Sequence, residues 1–265
     1  MMLVKHGTSE FDAARGGMAD GHRAPWALQW GSGIRVVLAS QSPRRRELLA
    51  ERGLAFEVCQ PGFEDDHLRR GGRPLGDPMA ERVRPEEWVV ALAYLKARAT
   101  LQRLVATSPN QRLVVIGADT VVAKAGTLIG KAACAKQASE ILHRLADGEH
   151  AVITGAAILS SVPGLLSRPS QTPTIATRIL LADRARVRVG AISPEQIAGY
   201  VASDSWKGKA GAYNLAERLA AGWPISLAGD PATVMGFPIQ RTAVWIDALV
   251  AIQRQATEAG SEVGP

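Results

Sequence analysis

An α/β fold with an elongated mixed β-sheet flanked by helices is predicted by three observations. Apolar, β-branched runs at 34–39, 113–118 and 151–159 read as buried strands. Stretches of helical period lie between them, so strand and helix alternate along most of the chain. Hydrophobic residues make up 46% of 265 positions, ample for one large core.

The elements follow in order. Residues 1–33 mix Gly, His, Asp and Arg with no hydrophobic period and read as a disordered extension. Ile34 to Ala39 is the first strand. Ser42-Pro43 then opens a helix with a capping serine and a proline in the first turn, and Gly53 closes it. Ala55 to Gln60 reads as a second strand, leading to the acidic trio Glu64-Asp65-Asp66; the Arg-, Gly- and Pro-rich stretch 69–85 reads as a loop. Trp88, Leu92, Leu95 and Ala99 recur at three- and four-residue steps and place Lys96 in an amphipathic helix. Leu113 to Ala118 is a strand that delivers Asp119 and Thr120 at its C-terminal end. Ala138, Ile141, Leu142 and Leu145 mark a helix stopped by Asp147-Gly148. Residues 151–159 and 178–189 read as strands, and the alternation Arg184-Ala185-Arg186-Val187-Arg188-Val189 gives the latter one wet face. Pro163 to Pro173 is a Ser/Pro-rich loop. Ser193-Pro194-Glu195-Gln196 is a capping box that starts a helix to about Ser203. A Gly-rich connection at 208–211, a strand near Pro224 to Leu227 and a helix from Gln240 to Ala251 complete a domain spanning 34–252, with a disordered tail at 253–265.

Charge and composition narrow the function. The net charge of +6 suits a polyanionic partner. The excess is scattered arginine, without the basic tract or aromatic interleaving that grips nucleic acid, so a phosphorylated small molecule is expected and nucleic acid is not. Two cysteines, Cys59 and Cys134, form no zinc, redox or disulfide pattern. No run approaches the roughly 18–20 apolar residues of a membrane span, and the first residues lack a signal peptide's apolar stretch, so no membrane partner and a cytoplasmic location are expected.

Ligands in open α/β sheets bind beyond strand C-termini. Ser40 to Arg46 sits there, offering hydroxyls, backbone amides and the guanidinium groups of Arg44, Arg45 and Arg46 at a helix N-terminus, a phosphate cradle or else a capped helix with a solvated basic face. Asp119, in Gly117-Ala118-Asp119-Thr120, is a carboxylate able to hold a divalent cation, to take a proton from water, or simply to cap a turn. Glu64 and Asp65 supply further hard oxygens. Lys131 follows Gly126-Thr127-Leu128-Ile129-Gly130, one residue too short for a P-loop, and Ala132 stands where magnesium's Ser/Thr ligand belongs.

Three segments, Leu38-Ala39-Ser40-Gln41-Ser42-Pro43-Arg44-Arg45, Ile116-Gly117-Ala118-Asp119-Thr120-Val121-Val122 and Lys209-Ala210-Gly211-Ala212-Tyr213, resemble in order and spacing the Maf (septum-formation inhibitor) family of nucleoside triphosphate pyrophosphatases. Weaker matches at 92–97, Gly130-Lys131, His150-Ala151-Val152-Ile153-Thr154 and 229–238 extend the likeness over about 34–252. The resemblance implies hydrolysis of a nucleoside triphosphate to monophosphate and pyrophosphate, clearing non-standard or surplus nucleotides. It implies a Mg2+ or Mn2+ cofactor held by Asp119 with Glu64 or Asp65, and a homodimer. It makes Asp119 the proton acceptor, links Arg44 and Thr120 to substrate choice, and lines the cleft with Ser40, Lys96, Lys131 and Lys209. Thr120 points to the pyrimidine branch of the family. The chain departs from the pattern at Asn214-Leu215-Ala216, where Gly-Ile-Gln is usual and the glutamine goes with thymidine and uridine triphosphates. The family's name also carries a second reading: a regulator of septation acting by nucleotide or protein binding, without catalysis.

Overall fold

The computed structural model describes residues 33–61, 84–161 and 175–261. The expected extension up to residue 32, the acidic trio, the loop at 69–83 and the Ser/Pro loop lie outside them. Seven strands form one mixed sheet in the order β2-β1-β3-β5-β6-β7, with β4 attached to β3. They are β1 (Ile34–Ala39), β2 (Glu57–Cys59), β3 (Arg112–Lys124), β4 (Thr127–Ile129), β5 (Gly148–Ser161), β6 (Ile175–Val189) and β7 (Ile225–Ala228). The helices are α1 (Pro43–Glu51), α2 (Pro85–Thr107), α3 (Ala135–Leu145), α4 (Pro194–Ala202), α5 (Leu215–Ala220), α6 (Pro231–Met235) and α7 (Ile239–Ser261). β1 runs parallel to β2 and β3, whereas β3, β5, β6 and β7 form an antiparallel run.

β3 differs from expectation in a way that shapes the molecule. It continues past Ala118 to Lys124, so Asp119 and Thr120 lie in mid-strand and not at a strand end. Ala125 and Gly126, with φ of 48° and 76°, then make a two-residue turn into β4, a positive-φ pair suited to the twist of a hairpin. β1 pairs with β3 only as far as Ala39↔Gly117, and β4 only from Val122↔Ile129. Residues 118–121 therefore have β5 on one side and, among the described residues, no strand on the other. This notch in the sheet is where the cleft lies.

Two hydrophobic cores occupy one face of the sheet. The first gathers Leu38, Leu49, Ile116, Ala156, Ile158, Phe237, Ile246 and Leu249 under α1 and α7. The second gathers Val122, Val152, Val187, Leu142, Ile197, Trp206 and Trp223 under α3 and α4. Between them runs a polar row across three strands, Thr120↔Thr154↔Asp183, set by the pairing register. On the opposite face α2 lies against β3 and β5, and two glycines permit the approach. A Cβ on Gly117 would stand 2.3 Å from the Ala93 carbonyl oxygen, and one on Gly155 would stand 2.5 Å from the Val89 backbone.

Other boundaries shifted for identifiable reasons. The buried stripe of α2 is Val89, Leu92, Ala93, Lys96, Ala97, Thr100, Leu101 and Val105; Trp88, Leu95 and Ala99 are only half-buried. α7 continues into the expected tail as far as Ser261, because Gln253-Arg254-Gln255-Ala256 contains good helix formers and no breaker. Ser193 makes the expected capping box with Gln196. Ser42 does not cap α1 with its side chain. No helix among the described residues is long and apolar enough to cross a membrane.

Candidate active site

The first turn of α1 has no side-chain cap and no acidic residue, and Pro43 opens it. Its leading N–H groups therefore lack a side-chain acceptor, the state in which a helix N-terminus attracts anions. Arg44 is half-buried along this turn, and its Nε is buried without a hydrogen-bond partner among the described residues. Burial lowers its pKa; the carboxylates of Glu217 and Glu47 act against that shift. A partly desolvated cation with an orphaned donor gains from an incoming anion.

Arg45 has a different part. Its Nε donates to the Gly236 carbonyl (2.7 Å), Nη1 to Ser40 Oγ (3.1 Å) and Nη2 to Thr120 Oγ1 (3.1 Å). Its guanidinium thus ties α1 to β3 and to the end of α6. Gly236 closes α6 with φ of 107°, and a Cβ there would come within 3.3 Å of Thr120 Oγ1 and 3.4 Å of Arg45 Nε. Ser40 is buried, and its hydroxyl oxygen also accepts from the Ser42 amide (3.3 Å).

On the α2 face, Lys96 Nζ donates to Asp119 Oδ1 at 2.6 Å, with both side chains under one-tenth exposed. Ala93 lies over Gly117, so Lys96, one turn further along α2, meets Asp119, two residues further along the same face of β3. On the other face, Thr120 Oγ1 lies 2.9 Å from Thr154 Oγ1, and Thr154 Oγ1 donates to the Thr233 carbonyl at 2.7 Å.

The far wall comes from the segment before α5. Lys131 forms an isolated bridge with Ala210, fastening this segment to the strand after the hairpin. Lys209 Nζ donates to Glu217 Oε2 (2.5 Å), and Asn214, which N-caps α5, holds the same carboxylate (2.9 Å). Ala212 has φ of 59°, strained for a residue with a Cβ. Its neighbour Tyr213 is anchored by a 2.8 Å hydrogen bond to buried His150. Burial lowers the His150 pKa to about 4, with Lys124 adding to the shift, and raises that of Tyr213.

Ser42, Arg44, Arg45, Lys96, Asp119, Thr120, Lys131 and Tyr213 thereby converge on one cavity. It adjoins a second hollow lined by Ser40, Arg44, Lys131, Lys207, Lys209 and Glu217. All the expected site residues among those described are therefore brought together, and Glu64 and Asp65 lie outside the described residues. Thr154, Thr233, Asp183, Tyr213 and Glu217 were assigned no role from the sequence. The available signal was a polar residue interrupting an apolar strand at Thr154 and Asp183.

No group of three or more His, Cys, Asp or Glu occurs among the described residues, so they form no preassembled protein cage for a metal. Among the described residues, Asp119 is the one carboxylate lining the inner cavity. That donor set fits magnesium, which takes one or two carboxylates and completes its shell with water and substrate phosphates.

Fold and site define an α/β protein with a cation-rich cleft built around a buried carboxylate, a receptor for a phosphorylated small molecule. A family model described as Maf-like protein matches residues 35–249. The dTTP/UTP pyrophosphatase of Burkholderia pseudomallei (strain 1710b) is 34% identical over 213 residues, 80% of this chain and 92% of its own. Those of Rhodopseudomonas palustris and Symbiobacterium thermophilum are 33% and 34% identical, each over 78% of this chain and covering 88% and 90% of theirs. The chain belongs to the Maf family.

Proposed function

We propose that this protein hydrolyses pyrimidine nucleoside triphosphates of the dTTP and UTP kind to the monophosphate and pyrophosphate in the cleft over Asp119. The observation that carries the reading is the inner cavity's charge: four cationic side chains, Arg44, Arg45, Lys96 and Lys131, around the single carboxylate of Asp119 among the described residues. A triphosphate brings about four negative charges, and its hydrolysis depends on neutralising them while water is aligned for attack. The names of the relatives and the presence of Thr120 support the choice of base; Ala216, exposed on α5 where the family usually has glutamine, acts against it.

Lys131, Lys209 and Arg44 bind the phosphates, with the uncapped first turn of α1 behind them. Lys96 holds Oδ1 of Asp119 and so fixes the rotation of the carboxylate. Water attacks the α-phosphorus as its proton passes to Asp119; the bond from that phosphorus to the bridging oxygen breaks, and pyrophosphate leaves with that oxygen. Magnesium or manganese would be held by Asp119, with Glu64 or Asp65 as the further ligands the family resemblance implies, supplying charge neutralisation and a more acidic water. A cytoplasmic location and a homodimer complete the reading, the latter tested by light scattering.

The test is pyrophosphate release from a panel of nucleoside triphosphates, with and without magnesium or manganese, for the natural protein and Asp119→Asn. Metal-dependent release from dTTP and UTP that the variant loses is the expected result. No release from any triphosphate would overturn the proposal.

A further inference from the structure

We propose that Thr154 is a positioning residue that fixes the polarity of the Thr120 hydroxyl, so that this part of the cavity accepts a hydrogen bond from the ligand and never donates one; the ligand's identity as a nucleotide rests on the reading above. A carbonyl only accepts, so the proton of Thr154 is committed to the Thr233 oxygen, 2.7 Å away. The 2.9 Å contact between the two hydroxyls must then carry the proton of Thr120 to Thr154. A guanidinium only donates, so Arg45 Nη2, at 3.1 Å, takes one lone pair of Thr120 Oγ1. The chain Arg45 to Thr120 to Thr154 to the Thr233 carbonyl has a single self-consistent direction.

Thr120 is half-buried and lines the cavity. With its proton drawn away into the sheet, it turns only a lone pair to the cleft. Phosphate oxygens and base carbonyls, which need a donor, are disfavoured beside it. The fitting chemistry is an N–H or O–H group, and the donors that dTTP and UTP have in common on base and sugar are the N3–H and the 3′-hydroxyl. The outer end of the relay is also braced, because Thr233 Oγ1 donates to Asp183 Oδ2 at 2.5 Å and Arg241 lies 3.7 Å from the same carboxylate.

The experiment is equilibrium binding, by calorimetry in EDTA so that turnover plays no part, of UTP, N3-methyl-UTP and 3′-deoxy-UTP to the full chain and to Thr154→Val and Thr154→Ser. The Thr233 carbonyl also accepts from the Gly236 amide (3.2 Å), so valine leaves no orphaned acceptor there. Thermal melting checks folding, and Thr154→Ala repeats the test with a smaller side chain. The natural protein is expected to bind UTP at least roughly tenfold tighter than one of the two donor-blocked analogues, because an acceptor left facing a blocked group is unpaired. Which analogue suffers identifies the donor. Thr154→Val frees the Thr120 proton to turn into the cleft, so the ratio falls by about threefold or more, while Thr154→Ser retains it. Equal binding of all three nucleotides by the natural protein overturns the inference. So does a valine variant within about threefold of the natural ratio, or a serine variant that loses the ratio as fully as valine does. Failure of pyrophosphate release alone would count against the hydrolase reading and leave this one standing.

Discussion

Asp119 and Thr120 are neighbours on β3, yet they face opposite sides of the sheet and sit in opposite chemical settings. Under α2, Asp119 meets a full charge, with Lys96 at 2.6 Å in a region where glycines let the helix backbone press on the strands. Across the sheet, Thr120 meets neutral hydroxyls and a carbonyl, and His150 on the same side of β5 is held without charge by burial. A buried ion pair demands both partners, since each alone is costly, whereas a hydroxyl relay carries direction at little electrostatic cost. One strand thus presents a carboxylate to one side and a hydroxyl to the other, and the notch opens both to a single cavity.

Four changes would break or sharpen that contrast, in descending order of expected effect. Asp119→Asn keeps size and removes charge; pyrophosphate release should fall by about 10² to 10⁴-fold, as expected for loss of a proton acceptor, and loss of the buried pairing with Lys96 should also lower the melting temperature. A variant retaining a tenth or more of natural activity would place the chemistry elsewhere. Lys96→Met removes the ammonium that Asp119 meets at 2.6 Å under α2 and should cost up to about 3–5 kcal/mol in chemical denaturation, far beyond a surface pair. An effect below about 1 kcal/mol would mean that water reaches the pair.

The third change is of pH. His150 has a folded pKa of about 4 against 6.5 for the free side chain, so between those values the unfolded chain binds a proton that the folded one refuses. Stability is complete above pH 6.5 and falls as pH drops toward 4, by roughly 3 kcal/mol in all. His150→Phe should flatten that limb of the denaturation profile. Smallest is Thr233→Val, which removes the hydroxyl bonded to Asp183 and leaves the carbonyl that receives Thr154. Stability should fall by about 1.5–3 kcal/mol, as for a hydrogen bond to a charged group, and discrimination between UTP and its donor-blocked analogues should not move.

Strands and helices with strong periodicity, such as β1, β3 and α3, were legible from the sequence, and the candidates it offers at the α1 terminus and Asp119 line one cavity. The periodicity around 88–99 located α2 but set its buried stripe one residue off. The buried face there includes Lys96 and Thr100 together with small alanines, and a hydropathy pattern undervalues all of these. β4 and α6 escaped because three- and five-residue elements carry no readable period. Lys96 could be placed on a helix but not over Asp119, because that meeting depends on Gly117 and Gly155 lying beneath α2. Thr154 looked like any threonine in a strand; its task depends on a carbonyl contributed 79 residues later.

The notch has a further consequence, for association between molecules. Unpaired strand edges invite pairing with other chains, and proteins commonly shield them with charge, brevity or a bend. Among the described residues, only 118–121 of β3 have no strand beside them on that side, closed above by β1 and below by the hairpin to β4. That is too short a stretch to template a foreign strand, and the lysines and arginines that ring it repel an apolar one. The cleft sits in this gap between β1 and the hairpin without giving the sheet a long sticky edge.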